Sequence, residues 1–180
     1  MVFSSPSFLF VFLPAVLVCH LLLPPRFRNL ALLLLSLFFY AYGEKWFTFL
    51  MLASILVNWG AALLIARAAE GGARKRALAL AVALNLAVLS FFKYAAFFTT
   101  EVNRLLAAAG ISPLPVPTIH LPLGISFFTF QAMSYVIDCY RGRVETARDP
   151  LKVGLYISLF PQLIAGPIVR YGTVAAAIVR

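Results

Sequence analysis

The chain has 180 residues, of which 63% are hydrophobic and only 12% charged, with a formal net charge of +9. Ordinary soluble domains carry roughly 45–50% apolar and about 25% charged residues, and a soluble domain of this size has too little interior to hide so much apolar surface. The basic excess sits in short clusters beside apolar runs, where it sets topology and meets anionic headgroups, so the composition excludes a soluble globular enzyme and argues against nucleic-acid binding.

Uncharged apolar stretches alternate with charged clusters at Arg26/Arg28, Glu44/Lys45, Arg67 to Arg76, Glu101/Arg104 and Arg141 to Lys152. About 20 mostly apolar residues make a transmembrane helix. Six membrane segments are predicted near 4–23, 29–43, 46–66, 77–98, 119–139 and 153–169. The first has no basic residue ahead of its apolar run and reads as a retained signal anchor, not a cleaved leader. Cys19 and His20 lie near its end. The second is short, and is expected to be tilted, bent or only partly spanning. Asn58 in the third, Asn85 in the fourth and Gln131 in the fifth are lone polar groups, each expected to hydrogen-bond a neighbouring helix. Lys93, toward the end of the fourth, either snorkels to the interface or faces a polar cavity. Asp138 is expected to pair with Arg141 three residues on. Cys19 and Cys139 read as small buried hydrophobes without a disulfide.

The fifth and sixth segments break helical rules. Ile119-His-Leu-Pro-Leu-Gly-Ile-Ser-Phe-Phe-Thr-Phe130 carries Pro122 and Gly124; Leu159-Phe-Pro-Gln-Leu-Ile-Ala-Gly-Pro-Ile-Val-Arg170 carries Pro161, Gly166 and Pro167. Proline removes a backbone donor and glycine permits unusual dihedrals. Irregular backbone at membrane depth survives only when buried in protein or lining a wet cavity. The fold class predicted is therefore all-α, a polytopic transmembrane helix bundle with kinked or re-entrant helices around an internal passage. Transporters and channel subunits share that feature, and a scaffold component is a third reading. His20 and His120, the only histidines, are expected at opposite ends of the bundle. The sequence holds no phosphate loop, nucleophile elbow or clustered metal-ligand spacing, so no catalytic or metal residue is assigned.

Several motifs, in order, carry a family likeness: the opening Met-Val-Phe-Ser-Ser-Pro-Ser-Phe-Leu-Phe, Arg28-Asn29-Leu30 leading to Phe39-Tyr40-Ala41-Tyr42, and Phe92-Lys93-Tyr94. Leu121-Pro-Leu-Gly-Ile-Ser-Phe-Phe-Thr-Phe130, Ser134-Tyr-Val-Ile-Asp-Cys-Tyr-Arg-Gly142 and Phe160-Pro-Gln-Leu-Ile-Ala-Gly-Pro-Ile-Val-Arg170 complete the set. The chain resembles the N-terminal part of the bacterial membrane-bound O-acyltransferase (MBOAT) family, closest to the alginate O-acetylation branch, with the D-alanyl transfer branch more distant. The resemblance covers essentially all of residues 1–180, read as the N-terminal part of one MBOAT-like transmembrane domain within a larger ring of helices.

That resemblance implies a tunnel across the bilayer, an acyl donor on the cytoplasmic side and no bound cofactor. It implies O-acetylation of an exported, alginate-like polysaccharide, with a periplasmic acetyltransferase as partner. It implies a multi-pass protein of the bacterial inner membrane. The family's catalytic histidine lies in its C-terminal half; neither His20 nor His120 matches it, so the chain is expected to be a fragment inactive on its own. Lys93, Pro122, Gly124, Ser126, Gln131, Gly166 and Pro167 are the candidate residues, either lining the tunnel or letting helices pack closely.

With the N-terminus outside, alternate loops place Arg26, Arg28, Arg67, Arg74, Lys75, Arg76, Arg141, Arg143, Arg148 and Lys152 inside, ten of the fifteen basic residues. Only Lys45, Arg104 and Arg170 fall opposite, a positive-inside bias that sets the orientation. Single cysteines at Ser4 and Gly72 check it: an impermeant thiol reagent on intact cells should label the first and spare the second. Labelling at Gly72 would reverse the topology.

Overall fold

The computed structural model of the protein describes residues 5–68, 71–164 and 169–179, and those residues form helices and loops without strands. A π-helical turn over Phe8–Phe12 leads into α1 (Leu13–Leu22). Pro24 and Pro25 end it: Leu23, ahead of a proline, turns extended, and Pro25 starts α2 (Pro25–Glu44), where its missing N–H costs nothing. Arg28 Nε donates to the Leu23 carbonyl at 3.0 Å, pinning this corner. α3 (Phe47–Arg67) follows a tight turn in which Lys45 takes a positive φ of 41°.

α4 (Gly72–Ala108) is far longer than the predicted 77–98 segment. No proline or glycine interrupts the chain from Ala73 to Ala109, so the helix continues through Arg74–Arg76 at one end and Thr99–Arg104 at the other. It stops at Gly110, whose positive φ lets Ile111 N–H reach the Leu106 carbonyl at 2.9 Å while Gly110 N–H reaches Ala107. That is the double closure typical of a glycine-ended helix. Two of the helices, α3 and α4, are long and apolar enough to cross a membrane.

The fifth segment begins at Ile125, not 119. Residues 111–121 form a non-helical strap containing Pro113, Pro115 and Pro117, and α5 (Ile125–Tyr140) starts after Gly124. The sixth is interrupted. Asp149 caps α6 (Pro150–Ser158), accepting from Leu151 N–H at 2.9 Å. The chain then leaves the helix at Leu159 and resumes as α7 (Phe160–Ile164). Pro161 accounts for the break, because its ring would meet the Ile157 carbonyl of a continuous helix. α8 (Tyr171–Val179) completes the chain.

α5 is the centre of the packing, touching α3, α4, α6, α7 and α8, while α6 lies against α2 and α3. One core gathers Met51, Ile55, Ile65, Phe128, Tyr135, Val136, Val153, Tyr156 and Ile157. A second, smaller one is aromatic: Phe8, Phe12, Phe39 and Phe160 stand with ring centroids 5.3–6.0 Å apart and tie the opening turn to α2 and α7.

Gly124 holds the joint between α5 and α7. Its φ is 71°, and a Cβ there would sit 3.0 Å from the Leu163 carbonyl oxygen. Gly110 has a similar φ of 72° with nothing within 4 Å. Both glycine-to-alanine variants should pay about 1–2 kcal/mol of backbone strain. Gly124→Ala should cost measurably more, because it also pushes α7 away; thermal unfolding of the two variants in detergent compares them directly.

Candidate functional site

The seam where α2, α5 and α7 meet collects buried polar side chains in an otherwise apolar interior. Gln131, 1% exposed, donates through Nε2 to the Gln162 Oε1 at 2.7 Å. Its own Oε1 is buried with no hydrogen-bond partner among the described residues. One turn back on α5, Phe128 meets the Tyr40 ring edge-on at 6.4 Å. Tyr40 Oη and, one turn earlier on α2, Ser36 Oγ are likewise buried and unpartnered among the described residues. An unmade hydrogen bond of this kind costs about 1–3 kcal/mol, so each of these oxygens calls for a partner other than the described side chains.

Five of the candidate residues fall within the description. Pro122 is buried and Gly124 half-buried at the entry to α5. Ser126 is half-buried in the first turn of that helix, and Gln131 sits at the seam itself. Lys93 stands apart: it is exposed on α4 with Nζ 5.5 Å from the Tyr94 ring centroid. Gly166 and Pro167 lie outside the described residues. Sequence reasoning missed Ser36, Tyr40 and Gln162. The signal for Ser36 was present, a lone hydroxyl inside Leu32-Leu-Leu-Leu-Ser-Leu-Phe-Phe-Tyr40; Gln162 became visible only once Pro161 was known to reset the helix.

The other lone amides pair as expected. Asn58 on α3 and Asn85 on α4 exchange hydrogen bonds of 3.2 and 2.8 Å, and each also donates to a carbonyl four residues back in its own helix. They close the floor of a small apolar groove of about 180 Å³ between α3, α4 and the Phe128–Thr129 turn. Asp138 does not pair with Arg141. α5 ends in a glycine closure at Gly142, which brings Arg143 back over the carboxylate at 4.0 Å.

The histidines lie far from one another. His120, at the end of the strap, is 3.2 Å from Glu44 Oε2 and stacks on Phe47. His20 ends α1, just ahead of α2, so the length of α2, about 30 Å at helical rise, separates the two. Beyond α5, the loop to α6 lines an open basin of about 670 Å³ carrying Arg143, Arg148 and Lys152 beside Glu145 and Asp149. Tyr171 stands at its rim, and burial pushes its phenol above the ordinary range, keeping it neutral. The described residues contain no group of three or more His, Cys, Asp or Glu placed to hold a metal ion.

Against known proteins, the chain is 41% identical over 172 residues to a probable alginate O-acetylase AlgI of Azotobacter vinelandii, covering 95% of the chain and 34% of that protein. It is 41% identical over 175 residues to a probable alginate O-acetylase AlgI of Pseudomonas aeruginosa, covering 95% of the chain and 33% of the relative. A peptidoglycan O-acetyltransferase of Helicobacter pylori is 34% identical over 202 residues, with 95% and 37% covered. The chain thus spans about a third of the length of the curated relatives it matches. No family model matches the chain. No solved structure matches it.

The Gln131–Gln162 bond is the testable element of the seam. In a double-mutant cycle with Gln131→Ala and Gln162→Ala, detergent unfolding should return a coupling of about 0.6–1.7 kcal/mol, the range for hydrogen bonds between helices in membranes. Additive losses would mean that the two amides do not act together.

Proposed function

We propose that this chain, which belongs to the membrane-bound O-acyltransferase family, forms the N-terminal helices of an O-acetyltransferase acting on an exported polysaccharide. The observation that carries the reading is its 41% identity, across 95% of its length, to proteins named alginate O-acetylase. A membrane is needed because the acyl donor is cytoplasmic and the polymer lies outside. In this reading the chain is a polytopic, inner-membrane part of a larger helical ring, its N-terminus outside. A periplasmic acetyltransferase completes the transfer.

The seam supports a passage. Ser36 and Tyr40 on α2 and Gln131 on α5 each carry a buried oxygen without a partner among the described residues, which suits a path for an acyl carbonyl or a sugar hydroxyl. Gly124 and the α6–α7 break keep the helices around it from closing into a continuous apolar wall. Pro122 and Ser126 stand at the entry to α5 in the same region. The basic basin at Arg143, Arg148 and Lys152 faces the side that the loop charges assign to the cytoplasm, where an anionic donor would arrive.

This chain supplies positioning, not chemistry. A general base must reach the acceptor proton directly or through one water. His120 is held by Glu44, and His20 stands a helix length away at the other end of α2, so the two cannot share one acceptor. A second acceptor, the glycan of the cell wall, is favoured by the peptidoglycan O-acetyltransferase relative at 34% identity.

Expression in a strain lacking the full-length gene tests both points, with acetyl content measured on exopolysaccharide and on peptidoglycan. The full-length product should restore acetyl to one polymer, which names the acceptor. The 180-residue chain should leave both at the level of the deletion strain. Restoration by that chain would place the base within it and make His120 the leading candidate.

A further inference from the structure

Ser36, Tyr40 and Glu44 follow one another at intervals of four residues, so they stand one above the next on a single face of α2. Burial deepens along that face. The Glu44 side chain, at the end of the helix, is 11% exposed, Tyr40 is 3% exposed and Ser36 0%. At the shallow end His120, 69% exposed, meets Glu44 Oε2 at 3.2 Å and stacks on Phe47. Further in, Tyr40 Oη and Ser36 Oγ have no hydrogen-bond partner among the described residues. Thr48 Oγ1, in the first turn of α3 just past Glu44, is buried without one as well.

We propose that this face of α2 is a hydrated file: water enters beside His120 and Glu44 and reaches Ser36, about 12 Å inward at helical rise. The proposal rests on the passage reading above and deepens it, naming what fills the α2 side and where that side opens. By the loop charges the mouth lies outside, toward the acceptor.

Size selects the occupant. Ser36 and Tyr40 are covered by the described helices themselves, so another helix laid against the outside cannot reach their oxygens. A water molecule can, and buried waters typically make about three hydrogen bonds to polar groups that otherwise lack partners. Left dry, each of these oxygens keeps its desolvation penalty. Glu44 fixes the direction. A carboxylate at the C-terminal end of a helix meets the negative end of the dipole, and burial adds to that cost. Water beside it lowers both costs. His120 is the one exposed member of the row, so the file opens there.

Thiol labelling of the full-length protein tests the file, with Ser36→Cys and Leu33→Cys placed singly in a cysteine-free background. Leu33 is the dry reference, buried three residues away on the same helix and packed on Gly154. A small charged methanethiosulfonate, added to intact cells, reacts with a thiol only where water meets it. The expected result is modification at Ser36→Cys, none at Leu33→Cys, and several-fold faster modification at Ser36→Cys once His120→Ala clears the mouth. No modification of Ser36→Cys would overturn the file. A rate indifferent to His120→Ala, or modification in everted vesicles alone, would overturn the outer mouth. Ser36→Ala gives a readout without a thiol. Removing a dry buried hydroxyl raises the unfolding temperature and removing a hydrated one lowers it, so the file requires the lower value. Acetyl content of the two polymers keeps the readings apart: a labelled Ser36→Cys beside a cysteine-free parent that acetylates neither polymer supports the file and sinks the acetyltransferase reading.

Discussion

The arrangement depends on how backbone is treated where helices stop inside an apolar interior. A carbonyl without a partner in hydrocarbon costs several kcal/mol, so a broken helix must be wrapped by protein. The break at Leu159, forced by Pro161, is wrapped on two sides. Phe160 enters the aromatic cluster with Phe8, Phe12 and Phe39, which fixes where α7 begins. Gly124 lets the start of α5 come within contact of the Leu163 carbonyl, which seats α7 against it. Gln162, between these two anchors, is then placed to receive Gln131. Three sequence features, a proline, a glycine and a glutamine pair, act together only because the break brings them to one point.

Three buried oxygens on α2 and α5 lack partners among the described residues. A continuous helix in place of α6 and α7 would present a regular side-chain surface to α2, and apolar residues could fill it. With the interruption, Gln131 meets Gln162, while Ser36 Oγ, Tyr40 Oη and Gln131 Oε1 are satisfied by no described side chain. Their energetic cost argues against simple packing as the reason for these residues, because leucine or phenylalanine at Ser36 or Tyr40 would avoid it. A water molecule reaching these oxygens would remove the cost. The Asn58–Asn85 pair is the contrasting case: both amides are satisfied, and the groove above them is apolar.

Hydropathy found the first five helices but not their ends, and the middle of its sixth segment falls at the α6–α7 break, for a physical reason. Membrane segments are read from apolar content, but helices end at capping geometry. α4 runs past its apolar window because nothing between Ala73 and Ala109 stops it. α5 starts late because Gly124 adopts a left-handed conformation, and the strap before it is held off the helix by three prolines. The amide partners in Asn58, Asn85 and Gln131 were legible as a class, since a lone amide in a span needs a neighbour. Which neighbour was not, because that depends on helix register. Asp138 shows the limit most sharply. Counting along a helix selects Arg141, but the chain has already turned at Gly142 and delivers Arg143.

The placement of charge completes the functional argument. The seam contains hydroxyls and amides but no carboxylate, lysine or histidine among its named members. Groups of that kind orient and hydrate a passing molecule without exchanging protons at neutral pH. The titratable groups flank it: His120 with Glu44, one turn beyond Tyr40 at one end of α2, His20 at the other, and the arginines and lysine of the basin beyond α5. Burying neutral polar groups in place of charged ones keeps the cost of desolvation low in an apolar interior.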